Sequence, residues 1–157
     1  EMKKASEFVI EELASKIKNE NELSSEIGSD LFVETKRTLN LLSRTISLAE
    51  KNISIHYLNK KWLEKLMIEL TKAKKRGVEI RILLNKKDDS LSFKRKLLTF
   101  AQVKVSKENV IHGNILVDYS FYCNTYYKSS GLQAQTIGYK KCIHCLHAWI
   151  KREWEES

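Results

Sequence analysis

The spacing of apolar residues switches several times along the chain between a helical period and the alternation of a β-strand. Apolar positions three or four residues apart predict helices, and alternating positions or short apolar runs predict strands. The predicted helices cover residues 1–20, 35–51, 59–76, 91–100 and 139–156. The predicted strands cover 31–33, 53–57, 78–84, 102–106 and 132–137, with two more strands inside 109–128 joined by a turn near 118–120.

The order of these elements predicts an α/β domain. Strand 53–57, the helix that begins near Asn59 and strand 78–84 follow one another as a β-α-β unit, which requires parallel strands. Gly77 comes directly after a cationic run, as expected where a helix ends, because cations complement the helix dipole there and glycine adopts the cap conformation. We therefore predict a mixed, largely parallel sheet flanked by helices.

Residues 1–28 differ in character from the rest of the chain. Apolar residues fall every four positions within 1–20, and the polar stretch that follows contains the first glycine. The helix either packs on its own domain or forms half of a dimer seam. We divide the chain into a dimerisation and linker helix at 1–28 and one α/β domain at 29–157.

The last predicted helix has one apolar side and one acidic side. Its residues predicted to face inward are Ile143, Leu146, Trp149, Ile150 and Trp154. Its residues predicted to face solvent are Glu153, Glu155 and Glu156. This division is typical of an amphipathic helix that covers a sheet.

Composition narrows the class of protein. The 157 residues fit one domain, and the hydrophobic fraction of 42% is too high for a disordered chain. No apolar run approaches the ~20 residues that span a bilayer, so we expect no membrane contact. An odd number of cysteines, three, argues against a secreted disulfide framework and favours the cytoplasm.

The net charge of +8 either keeps the protein soluble or attracts an anionic partner such as DNA, RNA or a phosphorylated ligand. Basic residues cluster in 72–76, 86–96 and 140–151. They are not interleaved with aromatic residues as in a stacking platform for single strands, so the pattern alone does not indicate nucleic-acid binding.

One long segment resembles a known superfamily. The stretch NISIHYLNKKWLEKLMIELTKAKKRGVEIRILLNKK is similar to the phospholipase D half-domain, where a strand and a helix ending in A-x-x-R-G-V lead into a second strand. Downstream, VIHGNILVDYSFYCNTYYKSSG stands where that superfamily has its H-x-K-x-x-x-x-D motif. The resemblance covers about residues 30–156 and implies the phospholipase D-like fold.

A narrower resemblance concerns the segment LFVETKRTLNLLSRTISLAEKNISIHYL, which is similar to the start of the C-terminal effector domain of TrmB-type archaeal transcriptional regulators. That resemblance implies a cytoplasmic homodimer formed through helix 1–20. It also implies DNA binding through an upstream winged-helix domain that is outside this chain, and a small polar effector, with sugar as the suggested class.

The catalytic motif is degenerate at two of its three positions. In active members of the superfamily the histidine is the nucleophile, the lysine neutralises phosphate and the aspartate orients the histidine, and two motifs meet in a dimer. His112 matches the nucleophile, but Asn114 replaces the lysine and Tyr119 replaces the aspartate. Asp118 lies one residue early, which on a strand turns its side chain to the opposite face.

We therefore predict an effector-sensing and dimerisation domain that is not an enzyme and uses no cofactor. Its predicted ligand-binding residues are His112, Asn114 and His56, in the cleft of the former active site. The alternative is a phospholipase D-like nuclease or phosphodiesterase that acts as a dimer, with His112 as its catalytic residue.

The pair Cys142 and Cys145 has the C-x-x-C spacing of half a zinc site. Cys123 or a second subunit would have to supply the rest. The pair is also compatible with a redox-sensing thiol pair or with small buried side chains in a helix, and the last of these leads us to expect no metal.

Overall fold

The protein is described by a computed structural model that covers residues 35–128, 131–138 and 143–157. The helices are α1 (Thr35–Ser47), α2 (Lys60–Lys75), α3 (Leu91–Leu98) and α4 (Ile143–Glu156). The strands are β1 (Asn52–His56), β2 (Glu79–Leu84), β3 (Gln102–Val105), β4 (His112–Val117), β5 (Phe121–Lys128) and β6 (Gly131–Gly138). The predicted helix 1–20 and strand 31–33 lie outside the described residues, so the division at residue 28 stays a prediction.

The two ends of α2 follow from its sequence. The side chain of Asn59 accepts a hydrogen bond from the Lys61 amide at 2.9 Å, which satisfies one of the free amides of the first turn. At the other end, Gly77 has a φ of 90°, a conformation that glycine adopts without steric cost. The Val78 amide then bonds back to the Ala73 carbonyl at 3.1 Å and leads the chain into β2. The predicted glycine cap is confirmed.

The six strands form one sheet in the order β3-β2-β1-β4-β5-β6. The pairs β1–β2 and β2–β3 are parallel, as the β-α-β unit predicts, whereas β1–β4, β4–β5 and β5–β6 are antiparallel. The sheet is therefore mixed, but the prediction that it is largely parallel was wrong. Only residues 106–111 connect β3 to β4, and a parallel crossover needs about a dozen residues.

The two faces of the sheet differ in chemistry. One face, here called the apolar face, packs against α1, α2 and α3 and includes Ile53, Ile55, Ile82, Ile115 and Val117. The other face, here called the polar face, includes His56, His112, Asn114, Tyr122 and Asn124, which alternation and strand register place on one side. Helix α4 covers the polar face through Ile150 and Trp154.

Helix α4 differs from its prediction at two residues. Ile150 and Trp154 are buried, as predicted, but Trp149 is 43% exposed and Glu153 points inward. Ile150, Glu153 and Trp154 lie at i, i+3 and i+4 on one stripe of the helix, and Trp149 falls outside that stripe. The expected inward packing of Ile143 and Leu146 concerns side chains outside the described part of the chain.

Candidate functional site

The predicted site residues lie where the strand order changes direction. From β1 the chain continues through β2 and β3 on one side, and β4 returns on the other side. Ligands of α/β sheets bind at such switch points, outside the carboxyl ends of the strands. His56 is the last residue of β1 and pairs with Asn114 of β4, and His112 lies two residues before Asn114 on the same face. The structure therefore brings all three predicted residues to one region.

His56 is fully buried between the sheet and α4. Its Nδ1 atom lies 2.5 Å from Oε1 of Glu153, a residue 97 positions away in sequence. The Tyr57 hydroxyl also interacts with Glu153, and burial first, then the Glu153 carboxylate, raises the pKa of Tyr57. These contacts attach α4 to the end of β1.

Asn114 is buried as well, and its amide is already engaged. Its Oδ1 atom accepts a hydrogen bond from the Tyr122 hydroxyl at 2.7 Å. Burial raises the pKa of Tyr122 to about 12, so the phenol keeps the proton that it donates. The position where the superfamily motif has a lysine thus holds an uncharged group that is bonded to its own sheet.

Three buried polar atoms on the polar face have no hydrogen-bond partner among the described residues. They are Nε2 of His56, Nδ1 of His112 and Oδ1 of Asn124. Buried polar atoms are nearly always paired in folded proteins, and exceptions commonly mark a site for water, an ion or a ligand. His112 itself is half-buried, with its ring centre 6.3 Å from that of Tyr126.

Asp118 does not join His112. It lies beyond the far end of β4, about 20 Å away at the usual rise of a strand. Its carboxylate accepts hydrogen bonds from the amides of Glu50, Lys51 and Asn52 at 2.8, 2.7 and 3.0 Å. Asp118 therefore holds the connection between α1 and β1. Tyr119, at the position of the motif's aspartate, is 47% exposed in the same turn.

A cleft of about 140 Å³ opens beside His112, between the start of α2 and the ends of β1, β2 and β4. Its lining combines polar side chains at Asn59, Asn85, Lys87 and Thr125 and the rings of Tyr57 and Tyr126 with the apolar residues Leu58, Val110 and Ile111. None of the three predicted ligand-binding residues, His112, Asn114 and His56, lines it. Tyr57 and Asn85 were not among the predicted site residues. A polar residue directly after a buried parallel strand, as Asn85 is, was a usable signal.

Two of these lining residues are held in fixed positions. Asn85 is buried, donates to the Tyr57 carbonyl at 3.2 Å and accepts from the Val110 amide at 2.6 Å. Tyr57 has a φ of 60°, which is uncommon for a residue with a side chain and is often found at binding sites. The wall of the cleft is therefore built before any ligand arrives.

At Gly113 the backbone of β4 packs closely against Thr125 and Leu58, with no room for a side chain. A Cβ atom at this position would lie 2.6 Å from Oγ1 of Thr125 and 3.3 Å from Cα of Leu58. We expect Gly113→Ala to lower the free energy of unfolding by about 1–3 kcal/mol, the usual cost of overpacking. Urea unfolding measures the change. Adding Thr125→Ala removes the nearest atom and should restore part of the loss, so a double variant no better than Gly113→Ala would contradict this explanation.

The cysteines do not form a site within the described residues. Cys123 is fully buried on the apolar face, and this burial raises its pKa to about 12. Helix α4 covers the opposite face of the sheet, so Cys123 does not face the described side chains of that helix. Cys142 lies outside the described residues, and the side chain of Cys145 is not described. No group of three potential metal ligands occurs among the described residues.

Comparison with known proteins identifies the fold. The sequence matches no family model, and no curated protein matches it significantly. In structure, the chain is similar to the archaeal chromatin protein TrmBL2, described as having a novel mode of DNA binding, with a TM-score of 0.60 and 16% identity over 96% of this chain. It spans 65% of the length of TrmBL2.

A second similar structure is Nuc, a phospholipase D family member from Salmonella typhimurium. Its TM-score is 0.57 at 16% identity, over 74% of this chain and 86% of Nuc. The predicted phospholipase D-like α/β fold is thereby confirmed. At this level of identity the two similarities establish the fold and not the activity. Among the described residues, no helix has the length and apolar character needed to cross a membrane.

Proposed function

We propose that this chain is the effector-sensing and dimerisation domain of a DNA-binding regulator and that it does not cleave phosphodiesters. One observation supports the proposal: the two altered motif positions, Asn114 and Tyr119, carry no charge that could act on a phosphodiester. The Asn114 amide is bonded to Tyr122, Tyr119 is 47% exposed in the turn after β4, and the neighbouring Asp118 carboxylate is bonded to three backbone amides.

The chemistry of phosphodiester cleavage requires more than a histidine. The transition state is anionic, and a cation or fixed donors must stabilise the charge as it develops. Asn114 provides no cation, and the carboxylate nearest in sequence to the motif's aspartate position, that of Asp118, lies about 20 Å from His112 along β4. Without the lysine and the aspartate of the motif, His112 belongs to a polar binding surface and not to a catalytic site.

The cleft beside His112 is the proposed effector site. Amide and phenol groups from Asn59, Asn85 and Tyr126 line it, and these suit the hydroxyl groups of a small neutral molecule such as a sugar. Asn114 and His56 lie behind His112 under α4, so they would respond to a ligand through the sheet and helix without touching it. An effector acts only if it binds one geometry of the dimer more tightly than another.

The DNA-binding part of the proposal rests on the similarity to TrmBL2. This chain spans 65% of TrmBL2, and the proposed arrangement has a DNA-binding domain before residue 1 and the predicted helix 1–20 joining two copies. Such a regulator would work where the chromosome is, which places it in the cytoplasm. Light scattering on the purified chain should give the mass of a dimer, and a monomer at all concentrations would contradict this part.

Hydrolysis of a chromogenic phosphodiester tests the absence of catalysis. We expect no release of nitrophenol by the chain above that of His112→Ala, since the lysine and aspartate of the motif are missing. Clear turnover that disappears in His112→Ala would overturn the proposal and favour the dimeric nuclease.

Thermal unfolding with a panel of neutral mono- and disaccharides at millimolar concentration tests the effector site. A ligand that binds only the folded state raises the unfolding temperature. We expect at least one sugar to do so in the wild-type chain and to lose its effect in Tyr126→Ala, which removes a side chain from the lining of the cleft. A panel without effect, or an equal effect in both proteins, would contradict the proposed site.

A further inference from the structure

The net charge of the chain comes from one quarter of its length. Residues 60–98, which comprise α2, β2, the 3-10 turn Lys86–Asp88 and α3, contain thirteen cationic and five acidic residues, a net charge of +8. The other 118 residues contain fifteen of each sign and are neutral in sum. A charge kept only for solubility has no reason to be concentrated in this way.

Helix α2 arranges part of this charge in a line. Its buried side faces the core through Trp62, Leu63, Leu66, Leu70 and Ala73. At 100° per residue the opposite side of the helix carries four lysines, here called the basic stripe: Lys61, Lys65, Lys72 and Lys75. The exposed Glu64 and Ile68 lie on the same side of the helix. All four are exposed, and the stripe is about 21 Å long at 1.5 Å per residue.

Most of the basic stripe is not neutralised by carboxylates. Among the described residues, Lys61, Lys65 and Lys75 form no ion pair, and Lys72 contacts only Glu69, at 3.3 Å on the surface. The ammonium groups of Lys61 and Lys65 lie 5.6 and 4.7 Å from the centre of the buried Trp62 ring. This contact orders the two side chains without cancelling their charge.

Helix α3 and the turn before it extend the charged surface. Lys86, Arg95 and Lys96 are exposed and form no ion pair within the described part of the chain. Lys60 links the two helices, since its ammonium group lies 5.1 Å from the centre of the Phe93 ring. The basic stripe together with Lys86, Arg95 and Lys96 is called the basic surface.

We propose that the basic surface binds the phosphate backbone of duplex DNA. The nearby aromatic residues Trp62, Phe93 and Phe100 are buried, so the surface has cations without the exposed rings on which single strands stack. Several exposed cations along one side of a helix can contact the phosphates of a duplex, where binding gains from the release of counterions. The contact would be independent of sequence, because lysines that reach phosphates read no bases.

This inference does not depend on the proposed effector function. The basic surface lies on the outer side of the helices that cover the apolar face, and none of its residues lines the cleft beside His112. It also needs no upstream domain, because the contact belongs to the 157-residue chain itself. Failure of the sugar or phosphodiester experiments would therefore leave it unchanged.

Fluorescence anisotropy of a labelled duplex, titrated with the 157-residue chain between about 50 and 200 mM salt, tests the proposal. We expect binding that weakens steeply with salt. The variant Lys61→Gln/Lys65→Gln/Lys75→Gln should bind about tenfold more weakly or worse, with a salt dependence reduced by about one power per lysine. The three positions are exposed, so the fold should be unaffected, and thermal unfolding checks this.

The control variant Lys51→Gln/Lys151→Gln/Arg152→Gln removes the same charge from exposed positions outside the basic surface. We expect it to bind duplex within about threefold of the wild-type chain, since it loses no phosphate contact. An equal loss of affinity for duplex in both variants would show that only the net charge matters, and it would overturn the proposal. Absence of duplex binding at low salt would also overturn it, as would binding to phosphatidylserine vesicles in place of duplex.

Discussion

Trp154→Ala should lower the free energy of unfolding by about 3–5 kcal/mol, the range for removing a large buried aromatic side chain. Trp154 is 8% exposed and packs with Tyr57 and Leu83 between α4 and the sheet. Its ring also lies under two cations, with Lys104 Nζ at 4.8 Å and the Arg81 guanidinium at 5.7 Å from the centre. The loss should be large because this side chain is the main apolar contact between α4 and the end of β1.

Trp149→Ala is the matched control. The two tryptophans lie on the same helix, but Trp149 is 43% exposed, so its loss should cost less than about 1 kcal/mol. Chemical unfolding followed by circular dichroism measures both variants. Equal effects, or a change below about 1 kcal/mol for Trp154→Ala, would mean that α4 does not pack on the polar face as described.

Asp118→Ala is the second variant with a large expected effect, about 2–4 kcal/mol of lost stability. Three charge-assisted hydrogen bonds to the amides of Glu50, Lys51 and Asn52 disappear, and such bonds contribute more than neutral ones. Asp118 also has a φ of 52°, which alanine tolerates less well than aspartate or asparagine. Chemical unfolding gives the loss.

Two further variants separate the causes. Asp118→Asn keeps one acceptor oxygen and the tolerance for positive φ, so it should lose about half as much stability as Asp118→Ala. Asp89→Ala removes a carboxylate whose partner is Lys94 on the surface, and it should cost less than about 1 kcal/mol. If Asp118→Ala is no worse than Asp89→Ala, the carboxylate does not hold the connection between α1 and β1.

The elements themselves were predictable because local periodicity determines them. Leu42, Ile46 and Ala49 recur at helical spacing and are buried on α1. The turn at 118–120 and both of its strands were also predicted, since runs of strand-forming residues flank a short polar segment. The strands of the antiparallel half were predicted, but the share of antiparallel pairs in the sheet was underestimated, because strand direction depends on the length of a connection and not on the pattern inside a strand.

The site could be predicted only in part. The sequence places His112, Asn114 and His56 near one another, because the first two share a strand and the third ends its neighbour. Nothing local marks Glu153 as an inward residue, since its partner His56 is 97 positions away. The same holds for Asp118, whose backbone partners are 66–68 residues distant. A glutamate or an aspartate takes such a role only when the assembled fold supplies the donors.

Among the described residues, the layered arrangement of the helices separates positive from negative charge across the sheet. The cationic helices α2 and α3 lie on one side of the sheet, and α4, whose last turn contains Glu153, Glu155 and Glu156, lies on the other. Near a polyanion such a body experiences a torque as well as an attraction, and it turns before contact. We expect the described part of the chain to arrive with α2 leading and α4 trailing, so that His56, buried under α4, faces away from the polyanion.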